Sequence, residues 1–265
     1  LKKIIYYMSK GKNRKSTVAI IPARFYSQRF PGKPLIDICG KTMIQRVFEQ
    51  VMKAKLVDRV IVATDHTKIA DAVRAFGGEV IVTSKDIATG TDRVAIAAKL
   101  LKNTEIVVNV QGDEPLIPPE MVDEVIDLMK KNTNIMAGTL VYRIKSLEEL
   151  NNPNTVKVVI DKNNYACYFS RAPIPYMREY SKEAFRKSDI WYRHVGIYAF
   201  RKKFLNKFHS WGISNLEKIE KLEQLRIIEH GYKIKIAVTK MQSISVDTPD
   251  DAEKVRSLIK KKGNN

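Results

Sequence analysis

The sequence predicts an α/β fold built on a doubly wound, mostly parallel sheet that carries an antiparallel insertion. Its 265 residues, of which 44% are hydrophobic, are enough to bury a substantial core. Over roughly the first half, short β-branched runs alternate with helical apolar stripes, which is typical of parallel strands covered by helices on both faces. Beyond residue 140 the strand-like runs follow one another without a long helix, which indicates antiparallel pairing.

The individual elements follow from these runs. In the first half, strands are predicted at 18–21, 60–63, 79–82 and 106–110. Apolar residues at helical spacing predict helices over 42–56 and 118–129, the second opened by the Pro118–Pro119 pair. In the second half, strands are predicted at 156–160, 165–170 and 195–200, with a polar hairpin turn at 161–164. A strand at 234–238 and a helix at 249–260 return to the α/β pattern.

The domain organisation is expected to be simple. The chain has no internal repeat and no low-complexity linker, so residues 17–265 are predicted to form a single domain with an antiparallel subregion over 141–200. Residues 1–16 contain no acidic residue and several lysines, and we expect them to form a flexible basic arm that is dispensable for activity.

The formal net charge of +18 raises the question of nucleic-acid binding. Six of the cations lie in the basic arm and three more at Lys260–Lys262, and no helix-turn-helix, RNP or zinc-finger signature accompanies them. A solvated basic surface is therefore the favoured interpretation. An anionic small substrate fits the same sign.

The compartment is predicted from the cysteines and from the lack of a long apolar run. Cys39 and Cys167 lie in apolar stretches far apart, as buried free thiols of a reducing compartment would. No apolar run approaches the roughly 18 to 20 residues that cross a bilayer, so we expect no membrane association. A cytoplasmic location is the default, and the composition of the arm leaves organellar import open as an alternative.

The first predicted strand leads into a basic loop over 22–34. Arg24, Arg29 and Lys33 lie within ten residues of one another, at the carboxyl end of a buried strand where open α/β sheets bind ligands. Such a loop can wrap polyphosphate, because arginine offers a planar fork to oxygens and lysine a mobile point charge. It matches neither the Walker nor the dinucleotide-binding glycine pattern, and a solvated loop remains the alternative.

Two carboxylates follow strand ends elsewhere in the chain. Asp113 comes just after the strand at 106–110, and Asp247 precedes the helix at 249–260. Mg²⁺ is commonly held by one or two carboxylates together with phosphate oxygens and water. The pair therefore indicates a metal held on phosphates, although each aspartate could instead cap a turn or helix.

Ten stretches of the chain, in order from about residue 18 to 256, resemble the 3-deoxy-manno-octulosonate (Kdo) cytidylyltransferases. Phe169-Ser-Arg-Ala172, His194-Val-Gly-Ile-Tyr198 and Leu222-Glu-Gln-Leu-Arg226 are the most specific of them. The others are Ile20–Arg24, Phe30–Pro34, Val62–Asp65, Thr89–Arg93, Val108–Pro115, Asn152–Asn154 with Lys157–Val159, and Val246–Asp250.

This resemblance implies a Rossmann-like nucleotidyltransferase that transfers CMP from CTP to the anomeric hydroxyl of Kdo, for lipopolysaccharide or a related glycan. It implies catalytic roles for Arg24, Lys33, Asp113 and Asp247, with Mg²⁺, or Mn²⁺ in its place, held by the two aspartates. CTP would be bound by Arg24, Arg29 and Lys33 and by a loop containing Thr89, Gly90, Thr91 and Arg93. The sugar would be bound by Gln111, Arg171, His194, Tyr198, Glu223 and Gln224. A homodimer formed through 141–200 is also implied.

Alternatives remain for the substrate and for the pocket. The acceptor could be an amino analogue of Kdo or a sialic acid, although Phe30-Pro-Gly-Lys33 differs from the first loop of sialic acid enzymes. A non-catalytic nucleic-acid-binding module would not need both Asp113 and Asp247. From the residues alone, His194 and Tyr198 could be packed core groups, and Glu223 and Gln224 could lie on an exposed helix face.

Overall fold

The computed structural model describes residues 16–26, 30–179, 181, 183, 185 and 188–263. In these residues nine strands form one sheet: β1 (Ser16–Ala23), β2 (Arg59–Thr64), β3 (Glu79–Val82), β4 (Thr104–Asn109), β5 (Ala137–Arg143), β6 (Lys157–Ile160), β7 (Ala166–Ser170), β8 (Tyr192–Arg201) and β9 (Ile234–Thr239). The helices discussed below are α1 (Met43–Val51), α2 (Thr67–Ala75), α3 (Gly90–Lys99), α4 (Pro119–Lys131), α5 (Leu147–Asn151), α6 (Lys202–Ser210), α7 (Asn215–Glu220), α8 (Leu225–Glu229) and α9 (Pro249–Gly263).

The sheet confirms the predicted doubly wound, mostly parallel class. Its strand order is β3-β2-β1-β4-β8-β5-β9, and the pairs β1–β2, β1–β4, β2–β3 and β5–β9 are parallel. Strand β8 lies between β4 and β5 and is antiparallel to both. The β6–β7 hairpin, with the predicted turn at its tip, attaches to β8. The parallel order places the carboxyl ends of β1, β2 and β4 at one edge of the sheet.

Side chains of β1 enter two different cores, as expected for a strand buried on both faces. Ala19 and Ile21 pack with helices α1 and α4 on one face, whereas Val18 and Ile20 pack with α3 and α6 on the other. The strand is therefore anchored from both sides, and its carboxyl end at Ala23 is a fixed platform for the loop that follows.

Several predictions about local structure need correction. The segment Thr89–Arg93 was expected to be a loop, but residues 90–99 form helix α3. Helix α2 and strand β5 were not predicted. The cysteines are not buried: Cys167 is exposed on the outward side of β7, and Cys39 is partly exposed in a turn at a positive φ of 55°. Residues 1–15 of the predicted basic arm lie outside the described residues. No helix in the part of the chain covered by the structure is long and apolar enough to cross a membrane.

Candidate active site

A pocket of about 200 Å³ lies at the carboxyl edge of β1 and β4. It is where open α/β sheets bind ligands. The lining comes from the basic loop, the start of α3 and the turn after β4: Pro22, Ala23, Arg24, Lys33, Pro34, Gly90, Gln111, Gly112 and Asp113. Five of the predicted site residues are therefore brought together in one cavity.

The first turn of the basic loop is held by the neighbouring strand. The backbone N–H of Phe25 donates to Asp65 Oδ1 at 3.2 Å, and the Phe25 ring stacks on His66 with ring centroids 4.0 Å apart. Arg24 lines the pocket, and its Nη2 donates to the carbonyl oxygen of Ile87 at 2.9 Å, a contact that uses one of its five N–H donors. Arg29, predicted to bind the triphosphate, lies outside the described residues.

The lysine of the basic loop is placed by a tight turn. Gly32 has a φ of 71°, a left-handed conformation that glycine adopts without strain, and its N–H donates to Phe25 O at 2.9 Å. Lys33 then begins a single turn of 3-10 helix over Lys33–Leu35, in which Pro34 is buried. The chain direction at Lys33 is thus fixed, and its side chain points back across the sheet edge.

The two aspartates meet at the end of this lysine side chain. Lys33 Nζ lies 2.7 Å from Asp113 Oδ2 and 3.3 Å from Asp247 Oδ1. Gly112 permits this approach, because a Cβ there would lie 2.7 Å from the Pro22 carbonyl oxygen. The backbone N–H of Val246 donates to Asp113 O at 2.9 Å and ties the two acidic segments together.

Asp247 is not the residue that caps α9. The capping contacts come from Asp251, whose Oδ2 accepts from the backbone N–H of Asp247 and of Thr248, while Thr248 Oγ1 accepts from Asp251 N. The alternative that Asp247 serves only as a helix cap is therefore wrong, and its carboxylate is directed to Lys33 instead.

The donor set suits a magnesium ion that also binds phosphate. The described residues contain no cluster of three or more His, Cys, Asp or Glu side chains that could hold a metal by themselves. Two carboxylate oxygens within 3.3 Å of one nitrogen can instead share a small cation, with water and phosphate oxygens as its remaining ligands. The site therefore fits Mg²⁺ held jointly by protein and substrate.

The segment Thr89–Arg93 forms the first turn of α3. Thr89 is the N-cap and accepts from Asp92 N, and Gly90 lies against Pro22 in the pocket wall. Arg93 is fully buried, where it bonds Asp65 Oδ2 at 3.1 Å and Thr83. Arg93 thus holds the Asp65 carboxylate, which in turn bonds the basic loop. The sequence predicted a CTP contact for Arg93 and did not indicate this structural one.

The predicted sugar residues form a second group beside the first. Gln111 Nε2 donates to the Gly196 carbonyl oxygen at 3.0 Å, and the rings of His194 and Tyr198 lie 5.0 Å apart, on the same face of β8 as predicted. Glu223 Oε2 accepts from the backbone N–H of Thr91 at 3.1 Å, so this second group touches the first turn of α3.

Gln224 and Arg171, the other two predicted sugar residues, differ in their surroundings. Gln224 is buried and its neighbour Glu223 is half-buried, so the alternative that the two lie on an exposed helix face is wrong. Arg171 is tied to Glu220 and to the 152–155 loop, through bonds from its Nε to Glu220 O at 2.8 Å and from its Nη1 to Pro153 O at 3.0 Å.

Burial sets the protonation of His194 and Tyr198. Burial lowers the pKa of His194 to about 3, so the ring is neutral near pH 7. Burial and the nearby Glu223 carboxylate raise the pKa of Tyr198 well above its usual value, so its phenol keeps the proton. Both groups are therefore neutral hydrogen-bonding groups.

The tautomer of His194 follows from its neighbour Thr139. Thr139 Oγ1 lies 2.6 Å from the Ile197 carbonyl oxygen and 3.3 Å from that of Val195, so two carbonyl groups already compete for its single hydroxyl proton. The bond to His194 Nε2, at 3.0 Å, is therefore assigned with Oγ1 as the acceptor. The proton of the neutral ring is then on Nε2, and Nδ1 carries a lone pair that can accept a hydrogen bond from a ligand hydroxyl.

Two groups were missed by sequence reasoning. Glu114 has a pKa raised to about 7 by burial and by the adjacent Asp113 carboxylate. Arg226 is fully buried and pairs with Glu217 at 2.6 Å and Asp92 at 3.2 Å, which joins α8, α7 and α3. A buried charge network of this kind has no signature along the chain, because its members lie 9 and 134 residues apart.

Comparisons with known proteins give the family of the chain. The sequence profile of the cytidylyltransferase family matches residues 18–236. The 3-deoxy-manno-octulosonate cytidylyltransferases of Geotalea uraniireducens and Geobacter sulfurreducens are 51% and 50% identical over 92% and 91% of this chain, and each match spans 98% of the relative. The solved structure of CMP:2-keto-3-deoxy-manno-octonic acid synthetase complexed with CTP superposes with a TM-score of 0.87 at 40% identity, covering 93% of this chain and 99% of that one.

Proposed function

The chain belongs to the 3-deoxy-manno-octulosonate cytidylyltransferase family, and from this premise we propose that it transfers CMP from CTP to the anomeric hydroxyl of Kdo and releases pyrophosphate. The observation that carries the proposal is the meeting of Lys33, Asp113 and Asp247 beside Arg24, at the sheet edge where a triphosphate would lie. The product would serve lipopolysaccharide or a related glycan, and the enzyme would act in the cytoplasm.

Arg24 and Lys33 would hold the triphosphate, with Arg29 as a third cation of the same loop. Arg24 keeps guanidinium N–H groups free of its bond to Ile87 O, and these can form a forked contact to phosphate oxygens. Cations aimed at the β- and γ-phosphates stabilise the charge that develops on pyrophosphate as it leaves.

Asp113 and Asp247 would hold Mg²⁺, or Mn²⁺ in its place. Such an ion neutralises charge on phosphate and orients the attacking oxygen. The protein prepares for it by fixing Asp113 through the Gly112 turn and through the backbone bond from Val246. Thr89, Gly90 and Thr91 would lie along the cytidine, where Gly90 in the pocket wall allows close backbone approach.

The sugar would lie between β8 and the 222–226 segment. Neutral His194 would accept a hydrogen bond from a sugar hydroxyl at Nδ1, and the Tyr198 phenol would donate a hydrogen bond to a sugar oxygen. Gln111, Glu223 and Gln224 supply further polar groups, and Arg171 would face the sugar carboxylate. Two neutral hydrogen-bonding groups select sugar hydroxyls without opposing the negative charge of the acid.

The experiment is an assay of pyrophosphate release with each of the four nucleoside triphosphates, alone and with Kdo, its 8-amino analogue or a sialic acid. We expect release with CTP and Kdo, and none in EDTA. Preference for the amino analogue or for sialic acid would move the assignment to another acidic sugar. Release with no sugar at all would refute it.

Two variants connect this assay to the site. Asp113→Asn should lower kcat by about two orders of magnitude or more, because one transition-state electrostatic group is removed. Asp250→Asn changes an exposed carboxylate of the same Asp247–Asp250 segment and should keep kcat within about twofold. Similar activity of the two variants would contradict the role of Asp113.

A non-catalytic nucleic-acid-binding module is disfavoured by the same geometry. Both carboxylates are retained and converge on one lysine, in a pocket at the ligand-binding edge of the sheet. A binding scaffold for a polyanion gains nothing from two carboxylates placed there, because they repel phosphate.

A further inference from the structure

The Lys33 ammonium occupies the point where the two carboxylates converge. Nζ donates to Asp113 Oδ2 at 2.7 Å, to the Val246 carbonyl oxygen at 2.9 Å and to Asp247 Oδ1 at 3.3 Å. An ammonium has three N–H donors, so these three acceptors use all of them. The Lys33 side chain is only 15% exposed, so the ion pairs are screened less than surface pairs.

Backbone hydrogen bonds hold the main chain around this contact, whereas the lysine side chain is held only through its ammonium. The Gly32 turn fixes the Lys33 backbone, and the bond from Val246 N to Asp113 O holds the two acidic segments together. The remaining freedom lies in the four-carbon side chain, which can swing an ammonium without moving the main chain.

The proposed function gives these groups incompatible tasks at one position. Lys33 is to bind triphosphate, and Asp113 and Asp247 are to bind a divalent cation. An ammonium and a divalent cation cannot both bond to the same two carboxylate oxygens, because their charges would be only a few ångströms apart.

We infer that Lys33 is an internal counter-ion that competes with the divalent cation for the Asp113–Asp247 pair. It neutralises the pair in the free enzyme and exchanges to phosphate oxygens when the metal and triphosphate bind. The exchange rests on the proposed function. The competition needs only Lys33 and the two aspartates.

A supporting role and a competing role of Lys33 predict opposite effects of its removal on metal affinity. If Lys33 merely supported the metal site, its loss would weaken metal binding. As a competitor, Lys33 reduces the apparent metal affinity, because the metal can bind only while the carboxylates are free of the ammonium. If they are free for about a tenth of the time, metal binding is about tenfold weaker. Removing Lys33 should therefore tighten metal binding in the absence of nucleotide, while it weakens the use of CTP.

The test measures Mn²⁺ binding to the full, nucleotide-free chain by the EPR signal of the free ion. Lys33→Met removes the charge, and Lys33→Gln removes it but keeps a donor for the Val246 carbonyl oxygen. Lys131→Met is the control for net charge, because Lys131 pairs with Asp127 at 3.4 Å at the far end of α4.

We expect both Lys33 variants to bind Mn²⁺ about tenfold tighter than the wild type, and Lys131→Met to bind within about twofold of it. A thermal midpoint that rises more with Mn²⁺ in the Lys33 variants than in the wild type would support the same conclusion. Lys33 variants that bind no tighter than Lys131→Met would overturn the inference. Since no nucleotide or sugar is present, this outcome is independent of whether the proposed transfer reaction occurs.

Discussion

Replacing His194 separates a substrate-binding role from a packing role. The ring of His194 contacts Phe169 and Tyr198, with centroids 5.2 and 5.0 Å away, and its Nε2 bonds Thr139. Under the proposed function, its Nδ1 would accept a hydrogen bond from the sugar. His194→Ala removes both the packing and the acceptor, whereas His194→Phe keeps a ring of similar shape and removes only the nitrogens.

The expected magnitudes follow from these contacts. A hydrogen bond to a buried sugar hydroxyl is worth about 1 to 2 kcal/mol, which corresponds to a rise of about 5- to 30-fold in the KM for Kdo. Each aromatic contact adds about 0.5 to 1.5 kcal/mol, so His194→Ala should lower the free energy of unfolding by about 1 to 3 kcal/mol. His194→Phe should lose less stability and raise the KM for Kdo similarly.

The assay is steady-state pyrophosphate release with each substrate varied in turn, together with the thermal midpoint of each variant. The KM for CTP should stay within about twofold, because the proposed function has the triphosphate held by the basic loop and the aspartates. Equal loss toward CTP and Kdo, or a His194→Phe variant with the wild-type KM for Kdo, would remove His194 from the sugar site.

Three further predictions concern pH, the buried network and assembly. Because burial lowers the pKa of His194 to about 3 in the folded protein, the unfolded chain takes up the proton first as the pH falls. The free energy of unfolding should therefore decline below about pH 6.5, by up to about 1.4 kcal/mol per pH unit. Urea unfolding of the wild type and of His194→Phe between pH 7 and 5 measures this decline, and the same pH dependence in both proteins would contradict it. Arg226→Met should cost about 3 to 5 kcal/mol in urea unfolding, because Asp92 and Glu217 lose their shared cation inside the protein, and a loss below about 1 kcal/mol would contradict this. Light scattering should give a dimer, formed through 141–200, and a mass near the 30.3 kDa of one chain would contradict it.

Most of the fold could be predicted because its strands are buried on both faces. Continuous β-branched runs such as 60–63 and 106–110 are typical of strands in a covered parallel sheet, and both form strands. Helix α3 was missed for a physical reason. Residues 91–95, 97 and 98 are all buried, and Thr91, Asp92 and Arg93 are among them. Polar residues therefore do not mark an exposed face, and the helix shows no clear amphipathic stripe. The position of β8 between β4 and β5 is a long-range pairing that periodicity does not encode.

The site could be predicted as far as strand ends determine it. Lys33 and Asp113 follow neighbouring strands β1 and β4, and parallel strands bring such residues to one edge. The sequence could not predict that Lys33 lies between the aspartates, because this contact joins residues 80 and 214 positions apart. The tautomer of His194 was equally inaccessible, since it depends on where the hydroxyl of Thr139 points.

The contacts of α3 connect the two halves of the proposed reaction. Glu223 accepts a hydrogen bond from Thr91 N, and Arg226, three residues later, pairs with Asp92. Two adjacent residues of the segment proposed to bind the nucleotide are thus bonded to two residues of the segment proposed to bind the sugar. One of these bonds is the buried ion pair of Arg226 with Asp92. A displacement of the first turn of α3 would therefore move Glu223 with it. His194 lies on β8 and has no such bond to α3 among the described contacts, so a perturbation at Arg226 should alter the KM values for both CTP and Kdo, whereas one at His194 should alter only that for Kdo.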